Sequence, residues 1–359
     1  MQTIDTLLSV GKGRHYILTN ADGKSWFFPI RNLRPAMELY QPSGSKGKML
    51  KRLFPYLHRL SVVRRVARAK IVRGCLDEEI LKVAREAFGV ENIEYSIFGG
   101  TPSVHQKITI QFFTGNRILG YDKMTDSEAI AALFAHEQDL LSTLHQQGVS
   151  DIPECLFNAK LPSGAYFFLQ TTVKTLNSRS PEEWTTLHEN FLQNLSVRTS
   201  ASLPFVESDF YRSLHSLQSS LSSIPSEYCK IISPALMQTL EEFGDGMCTF
   251  SAYHADFTPW NMFVNDGRLF VFDWEYGCMS YPPMLDRYHF FVQQYIHVRH
   301  MSADEIYRNI SEYAWYNGTQ FRYYLLDVIS RFVCRENGVI SKDLVKMLEI
   351  WTKLLEYLK

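Results

Sequence analysis

The sequence predicts an α+β chain in two lobes, a small antiparallel sheet followed by a mainly helical half, with an extra segment ahead of both. Three patterns predict it. Between Ile93 and Met124, and again from Ile152 to Thr171, short apolar runs alternate with turns rich in Gly, Asn and Pro, as strands do. From Pro181 to Gly246, and again beyond Met284, apolar residues recur at helical spacing among polar ones. The first 90 residues belong to neither pattern. The resulting division is 1–90, 91–172 and 173–359, with a chemically rich hairpin at 251–276.

Composition sets the class. At 359 residues the chain is long enough for a bilobal body with an appendage. Its 45% hydrophobic and 21% charged residues describe a globule with ample core. A formal net charge of -1 excludes a globally basic nucleic-acid binder. Six scattered cysteines with no Cys-x-x-Cys argue for reduced thiols in the cytoplasm and against a zinc site. No basic-then-apolar leader opens the sequence, and no apolar run approaches bilayer length.

In chain order, Arg14 to Pro29 reads as two strands around Asp22-Gly23, followed by the loop Pro42 to Leu50. Residues 46–73 contain many Lys and Arg and no Asp or Glu. From Leu50 to Arg73, Leu57, Leu60, Val63, Ala67 and Ile71 fall at helical spacing, so a basic amphipathic helix is expected. Such a helix suits peripheral contact with an anionic membrane or an acidic partner, and it equally suits a solvated face packed on the body. A helix over Asp77–Phe88 follows. Strands are expected at Glu94–Phe98, Val104–Phe113 and Arg117–Met124, with Gly99-Gly100-Thr101-Pro102-Ser103 looping between the first two. A helix capped by Asp126 runs to Gly148, with Ala132, Ala135, Leu140, Leu141 and Leu144 on its apolar face. After strands at Ile152–Phe157 and Ala165–Thr171, helices are expected at Glu182–Leu195, Ser208–Leu221 and Ser226–Phe243. Four more open near Met284, Asp304, Gln320 and Lys342.

The chemistry concentrates in SAYHADFTPWNMFVNDGRLFVFDWEY, Ser251 to Tyr276. Asn265-Asp266-Gly267 is a hairpin turn between Met262-Phe263 and Phe270-Val271, and it returns Asp273 toward Asp256 and Asn261. Three oxygen-bearing side chains then converge, which suits a hard Mg²⁺ ion and a phosphate chain. His254-x-Asp256, Asn261 five residues on, and Asp273-Trp274-Glu275 have the spacing of a kinase catalytic loop.

On those residues the chain resembles the aminoglycoside phosphotransferase and choline kinase-like family of small-molecule kinases, with Ala255 where that family has Gly. The resemblance spans roughly residues 93 to 290. It implies a protein-kinase-like fold and an ATP- and Mg²⁺-dependent phosphotransferase. Asp256, His254 and Glu275 become the candidate catalytic residues, His254 as a brace for the loop and Glu275 reaching a metal through water or touching the acceptor. Asn261 and Asp273 become the metal ligands. The resemblance further implies that Lys123, paired with Glu137, grips the nucleotide phosphates, with Lys107 and Glu128 as the alternative pair. Gly99, Gly100, Thr101 and Ser103 would cover the phosphates, and the hinge from Leu169 to Thr172, with Gln170 and Thr172, would hold adenine. Asp286 is expected to be structural.

A protein kinase would need a long activation segment, yet little chain separates Asp273 from Tyr281-Pro282, and Thr258 stands where serine/threonine kinases have Lys. The expected acceptor is therefore a small-molecule or glycan hydroxyl, with a sugar or lipid-linked precursor favoured by the basic 46–73 segment. An antibiotic kinase and a nucleotide-binding pseudokinase scaffold are the alternatives. The expected location is cytoplasmic or membrane-peripheral.

Overall fold

A computed structural model describes residues 8–20, 23–42, 44–100, 106–335 and 340–358. The chain divides into two compact units. The first comprises Met1–Ser142, Asp151–Arg179 and Phe263–Phe270, and the second Thr143–Ser150, Ser180–Met262 and Val271–Lys359.

The first unit is built on one eight-stranded sheet. Its elements are β1 (Leu8–Thr19), β2 (Ser25–Pro29), α1 (Leu33–Ala36), α2 (Ser45–Leu57), α3 (Ser61–Val66), β3 (Lys70–Leu76), α4 (Glu78–Phe88), β4 (Glu94–Phe98), β5 (Ile108–Thr114), β6 (Arg117–Thr125), α5 (Glu128–Gln146), β7 (Cys155–Lys160) and β8 (Tyr166–Thr171). The strand order is β3-β1-β2-β4-β5-β6-β8-β7, and every neighbouring pair is antiparallel. The described residues from Leu8 to Phe88 therefore form no separate appendage but share the sheet. Trp26 pairs with Phe98 and Phe27 with Ile97, so β2 continues the sheet from β4 outward. The turn expected at Asp22-Gly23 lies partly outside the described residues, although Gly23 takes a left-handed φ of 77°.

The single helix expected over Leu50–Arg73 is not what forms. Two short helices end at Ala67, Arg68 turns left-handed at φ 51°, and Lys70–Leu76 pairs with β1 as an edge strand. Ile71 and Val72 are β-branched and prefer an extended backbone, and β1 offers an open edge to pair with. Helical spacing alone could not report that edge.

Two apolar clusters stabilise the unit. One gathers Ile97, Ile110, Phe112, Phe167 and Leu169 from the strands with Ile80 and Ala84 of α4. The other gathers Phe28, Met37, Phe54 and Phe113, which fixes α1 and α2 to the β1–β2 side. Gln111 and Ser96 donate to the Pro35 and Ala36 carbonyls and satisfy the open end of α1. The unusually polar run Gly120-Tyr121-Asp122 also has a structural cause. A Cβ on Gly120 would lie 2.2 Å from the Gln170 carbonyl and 2.6 Å from the Phe88 ring, so only glycine admits β8 and α4 this closely. Buried Asp122 accepts the Phe168 N–H at 3.1 Å, and burial lifts its carboxyl well above the usual range.

The second unit is mainly helical: α6 (Thr186–Arg198), α7 (Asp209–Ser220), α8 (Ser226–Phe243), α9 (Leu285–His297), α10 (Ala303–Ser311), α11 (Gly318–Arg335) and α12 (Lys342–Glu356). Ser208, Ser302 and Ser341 cap α7, α10 and α12 through their hydroxyls. Short strands absent from the sequence reading form a β13-β10-β9 sheet from Cys278–Tyr281, Met247–Tyr253 and Ala201–Pro204. Buried Asp327 of α11 ties this layer together. It accepts the Tyr281 hydroxyl at 2.9 Å and the Ser213 hydroxyl at 3.0 Å, and faces Arg331 Nε at 2.9 Å. The hairpin β11 (Met262–Asn265) to β12 (Arg268–Val271), whose Phe263–Phe270 belongs to the first unit, turns through Asp266 and Gly267 at φ 48° and 75°, the left-handed pair that a two-residue hairpin demands.

Candidate active site

Strand β10 delivers His254 into a fully buried position, and three interactions then fix the loop that follows. The Asp256 N–H donates to His254 Nδ1 at 3.2 Å, so the ring proton resides on Nε2, which lies 3.0 Å from the Phe272 carbonyl and donates to it. Burial drives the imidazole down to about 4, although the Asp256 carboxylate opposes this, and the ring is neutral at neutral pH. Trp274 packs on it at 4.5 Å between centroids, with its own Nε1 donating to the Val271 carbonyl at 3.1 Å. Both ring nitrogens are engaged. His254 braces the loop across β12.

The third interaction comes from α9. Buried Asp286, in its first turn, accepts the His254 N–H at 2.7 Å and the Ala255 N–H at 3.0 Å. Two consecutive N–H groups can face one carboxylate because Ala255 is left-handed, at φ 68°. An L-residue there costs about 1–2 kcal/mol, which a glycine would not incur. Asp273 is also left-handed, at φ 70°. One such non-glycine residue precedes the hairpin and one follows it, each holding backbone strain that its surroundings must fix.

Within this frame the Asp256 carboxylate is held from both sides. Asn261 Nδ2 donates to the Asp256 Oδ2 at 2.8 Å and to the Asp256 backbone carbonyl at 3.0 Å, and His289 Nε2 lies 3.1 Å from the Asp256 Oδ1. These bonds commit the Asn261 nitrogen and leave Oδ1 as the side chain's acceptor atom. Burial pushes the Asp256 carboxyl up, but the His289 hydrogen bond and charge outweigh it, and the carboxyl sits below its usual range. Its side chain remains 34% exposed and open to solvent. The Phe272 N–H donates to the Asn261 carbonyl at 3.0 Å, which closes the hairpin and brings Asp273 within electrostatic reach of Asp256. Glu275 is buried and hydrogen-bonds the Tyr276 hydroxyl.

His289 escaped the sequence reading. It lies 33 residues beyond Asp256 on a helix, and nothing in an amphipathic pattern marks which histidine faces a distant loop. The one available clue was its position three residues after Asp286, which places both on neighbouring turns of α9.

In the first unit, Lys123 Nζ meets Glu137 Oε2 at 2.6 Å, with both side chains buried. Lys123 pairs in the sheet with Thr109 and Phe168, which settles its strand register. Lys107 precedes β5, and Glu128 is exposed at the start of α5. Gly100 is left-handed at φ 74°, and a Cβ there would meet the Lys107 carbonyl at 2.2 Å. Gly99 donates its N–H to the Ser25 carbonyl at 2.9 Å. Thr101 and Ser103 lie outside the described residues. Gln170 sits inside β8 between Tyr121 and Cys155, and Thr172 is the first residue beyond that strand. Breaking a buried ion pair costs more than weakening it. If the pair serves a nucleotide, as the resemblance implies, Glu137→Gln, which keeps a hydrogen bond but removes the charge, is expected to raise the KM for nucleotide about ten-fold. Steady-state kinetics against nucleotide concentration measure it.

No protein-family model and no curated protein matches the chain. The chain is similar in structure to solved small-molecule kinases. One is choline kinase LicA from Streptococcus pneumoniae, at 14% identity and TM-score 0.46, covering 77% of this chain and 99% of that one. A second is a thermostable mutant of an aminoglycoside phosphotransferase in ternary complex with ADP and hygromycin B, at 14% identity and TM-score 0.47, covering 77% and 96%. A third is a putative fructosamine-3-kinase from Haemophilus somnus, at 12% identity and TM-score 0.47, covering 78% and 97%.

Proposed function

We propose that the chain is an ATP- and magnesium-dependent phosphotransferase acting on a hydroxyl of a small molecule, with a sugar or a glycan or lipid-linked precursor as the favoured acceptor. The observation that carries this reading is the Asp256 carboxylate, a third exposed and clamped between His289 and Asn261. A carboxylate so oriented takes the proton of an acceptor hydroxyl as its oxygen attacks the γ-phosphorus and the bond to the β-γ bridging oxygen breaks. The proton passes to Asp256 and the nucleoside diphosphate departs.

The donor set fits magnesium, since Asn261 Oδ1 and the Asp273 carboxylate are hard oxygen ligands. Those two residues would hold the ion, which neutralises phosphate charge when bound. In the first unit, the Lys123 ammonium is fixed by Glu137 and supplies a cation for nucleotide phosphates. The small-molecule acceptor is favoured over a peptide by the short path from Asp273 to β13. A Trp274–Gly277 turn, closed by a 2.9 Å hydrogen bond, leads directly into the strand at Cys278.

Thermal melting with Mg-ATP, followed by transfer of labelled phosphate to a panel of sugars, amino alcohols, aminoglycosides and lipid-linked glycans, tests the reading. Nucleotide at 100 times its Kd is expected to stabilise the fold by about 2.7 kcal/mol, and at least one hydroxyl compound is expected to gain label. Stabilisation without transfer to any acceptor would favour the pseudokinase scaffold. No response to nucleotide would remove the kinase reading altogether.

A further inference from the structure

We propose that the outward face of α2 and α3 docks this chain on an anionic lipid bilayer. This goes beyond the catalytic reading and does not depend on it. Helix α2 is apolar on two sides. Leu50 and Phe54 point into the unit's own core, with Val63 and Ala67 from the next segment. Met49, Leu53, Tyr56 and Leu57 repeat at i, i+4, i+7 and i+8 along α2, one stripe by helical geometry, and all four are exposed, as is Leu60 just beyond the helix. A globular helix normally buries its apolar stripe. Here a second stripe remains outside after the first has been buried. Val62 and Val66, one turn apart on the α3 that follows, are 67% and 78% exposed as well.

Charge identifies what covers it. Residues 46–73 contain ten Lys and Arg and no Asp or Glu, in a chain whose net charge is -1. Lys46, Lys48, Arg52, Arg59, Arg65, Arg68, Lys70 and Arg73 are exposed along the same two helices and the strand that follows. A second copy of this face would bring like charges together. An apolar stripe flanked by cations on one side of a short helix matches the boundary of a bilayer, with side chains among the acyl chains and basic groups at the lipid phosphates. No described helix is long and apolar enough to cross a membrane, so the contact is peripheral.

The test is sedimentation of the full chain with vesicles of phosphatidylcholine alone or with added phosphatidylserine. Binding is expected only to the anionic vesicles, weakening as salt rises. Arg52→Gln, Arg59→Gln and Arg65→Gln together are expected to weaken it about 100-fold. Val62→Ser with Val66→Ser should also release the protein from vesicles while leaving its melting temperature and circular dichroism unchanged, since neither valine is buried. Indifference of the wild-type chain to anionic vesicles would overturn the proposal, as would binding that neither variant alters. A dimer in solution that the valine pair dissociates would assign the face to a second copy instead.

Discussion

Asp256→Asn is expected to slow phosphoryl transfer about a thousand-fold while leaving the fold intact and the nucleotide affinity nearly so. A positioned general base contributes on the order of 10²–10⁴ in rate, and the carboxamide removes the base without removing the side chain's bulk. Its oxygen can still accept from His289, but its NH₂ then faces the Asn261 Nδ2, two donors where a donor met an acceptor. That mismatch falls on a side chain 34% exposed, where water can enter, so the melting temperature should shift little. His289 provides the internal control. His289→Ala removes the donor on Oδ1 and should lower kcat at least ten-fold, as loss of a hydrogen bond to a charged group does, with the nucleotide KM unchanged. His289→Gln, whose amide can reach back toward Oδ1, should recover part of that loss. An Asp256→Asn protein turning over at a near-normal rate would remove the base from Asp256.

The site was legible where its parts are close in sequence. His254, Asp256 and Asn261 lie within eight residues, and the turn at Asn265-Asp266-Gly267 carries its own geometric signature, so the fold-back to Phe272 could be read directly. The strained backbone was legible only through a substitution. Ala255 stands at a left-handed position, which explains the glycine of the resembled pattern, but φ 68° itself is visible only in the structure. Long-range partners were not legible. His289 faces Asp256 because α9 packs beside the loop, and no local pattern encodes that contact. The same limit hid three strands. Lys70–Leu76 reads KIVRGCL and has no strict alternation, the preceding helical spacing ran over it, and its pairing with β1 decided the outcome. The four-residue strands Ala201–Pro204 and Cys278–Tyr281 are too short for a period to register, and they exist because β10 lies between them.

Asp286→Ala should be more damaging than any change to the groups that meet substrate, because it removes the fold of the loop along with its activity. The His254 and Ala255 N–H groups would be left buried without an acceptor, at about 1–3 kcal/mol each. Ala255 would then have no reason to hold its left-handed backbone, and relaxing it swings Asp256, the next residue, away from Asn261. Chemical denaturation should therefore show a loss of about 2–6 kcal/mol, and transfer should fall below detection. A variant that keeps its stability and loses only rate would show that Asp286 acts on substrate directly. Asp286→Asn, which keeps one acceptor oxygen, should lie between the two and separates a second effect. Burial raises the Asp286 carboxyl to about 7, against the pull of its two N–H donors. A folded-state value above the unfolded one means that protonation favours the fold. That contribution is fully present below about pH 4 and is lost as pH rises through 7. A shift of roughly three units corresponds to about 4 kcal/mol. Asn cannot titrate, so the stability gap between wild type and Asp286→Asn should shift by about that amount, against the wild type, between pH 4 and pH 8. A gap independent of pH would mean that the carboxylate keeps its charge throughout, held by the two backbone donors alone.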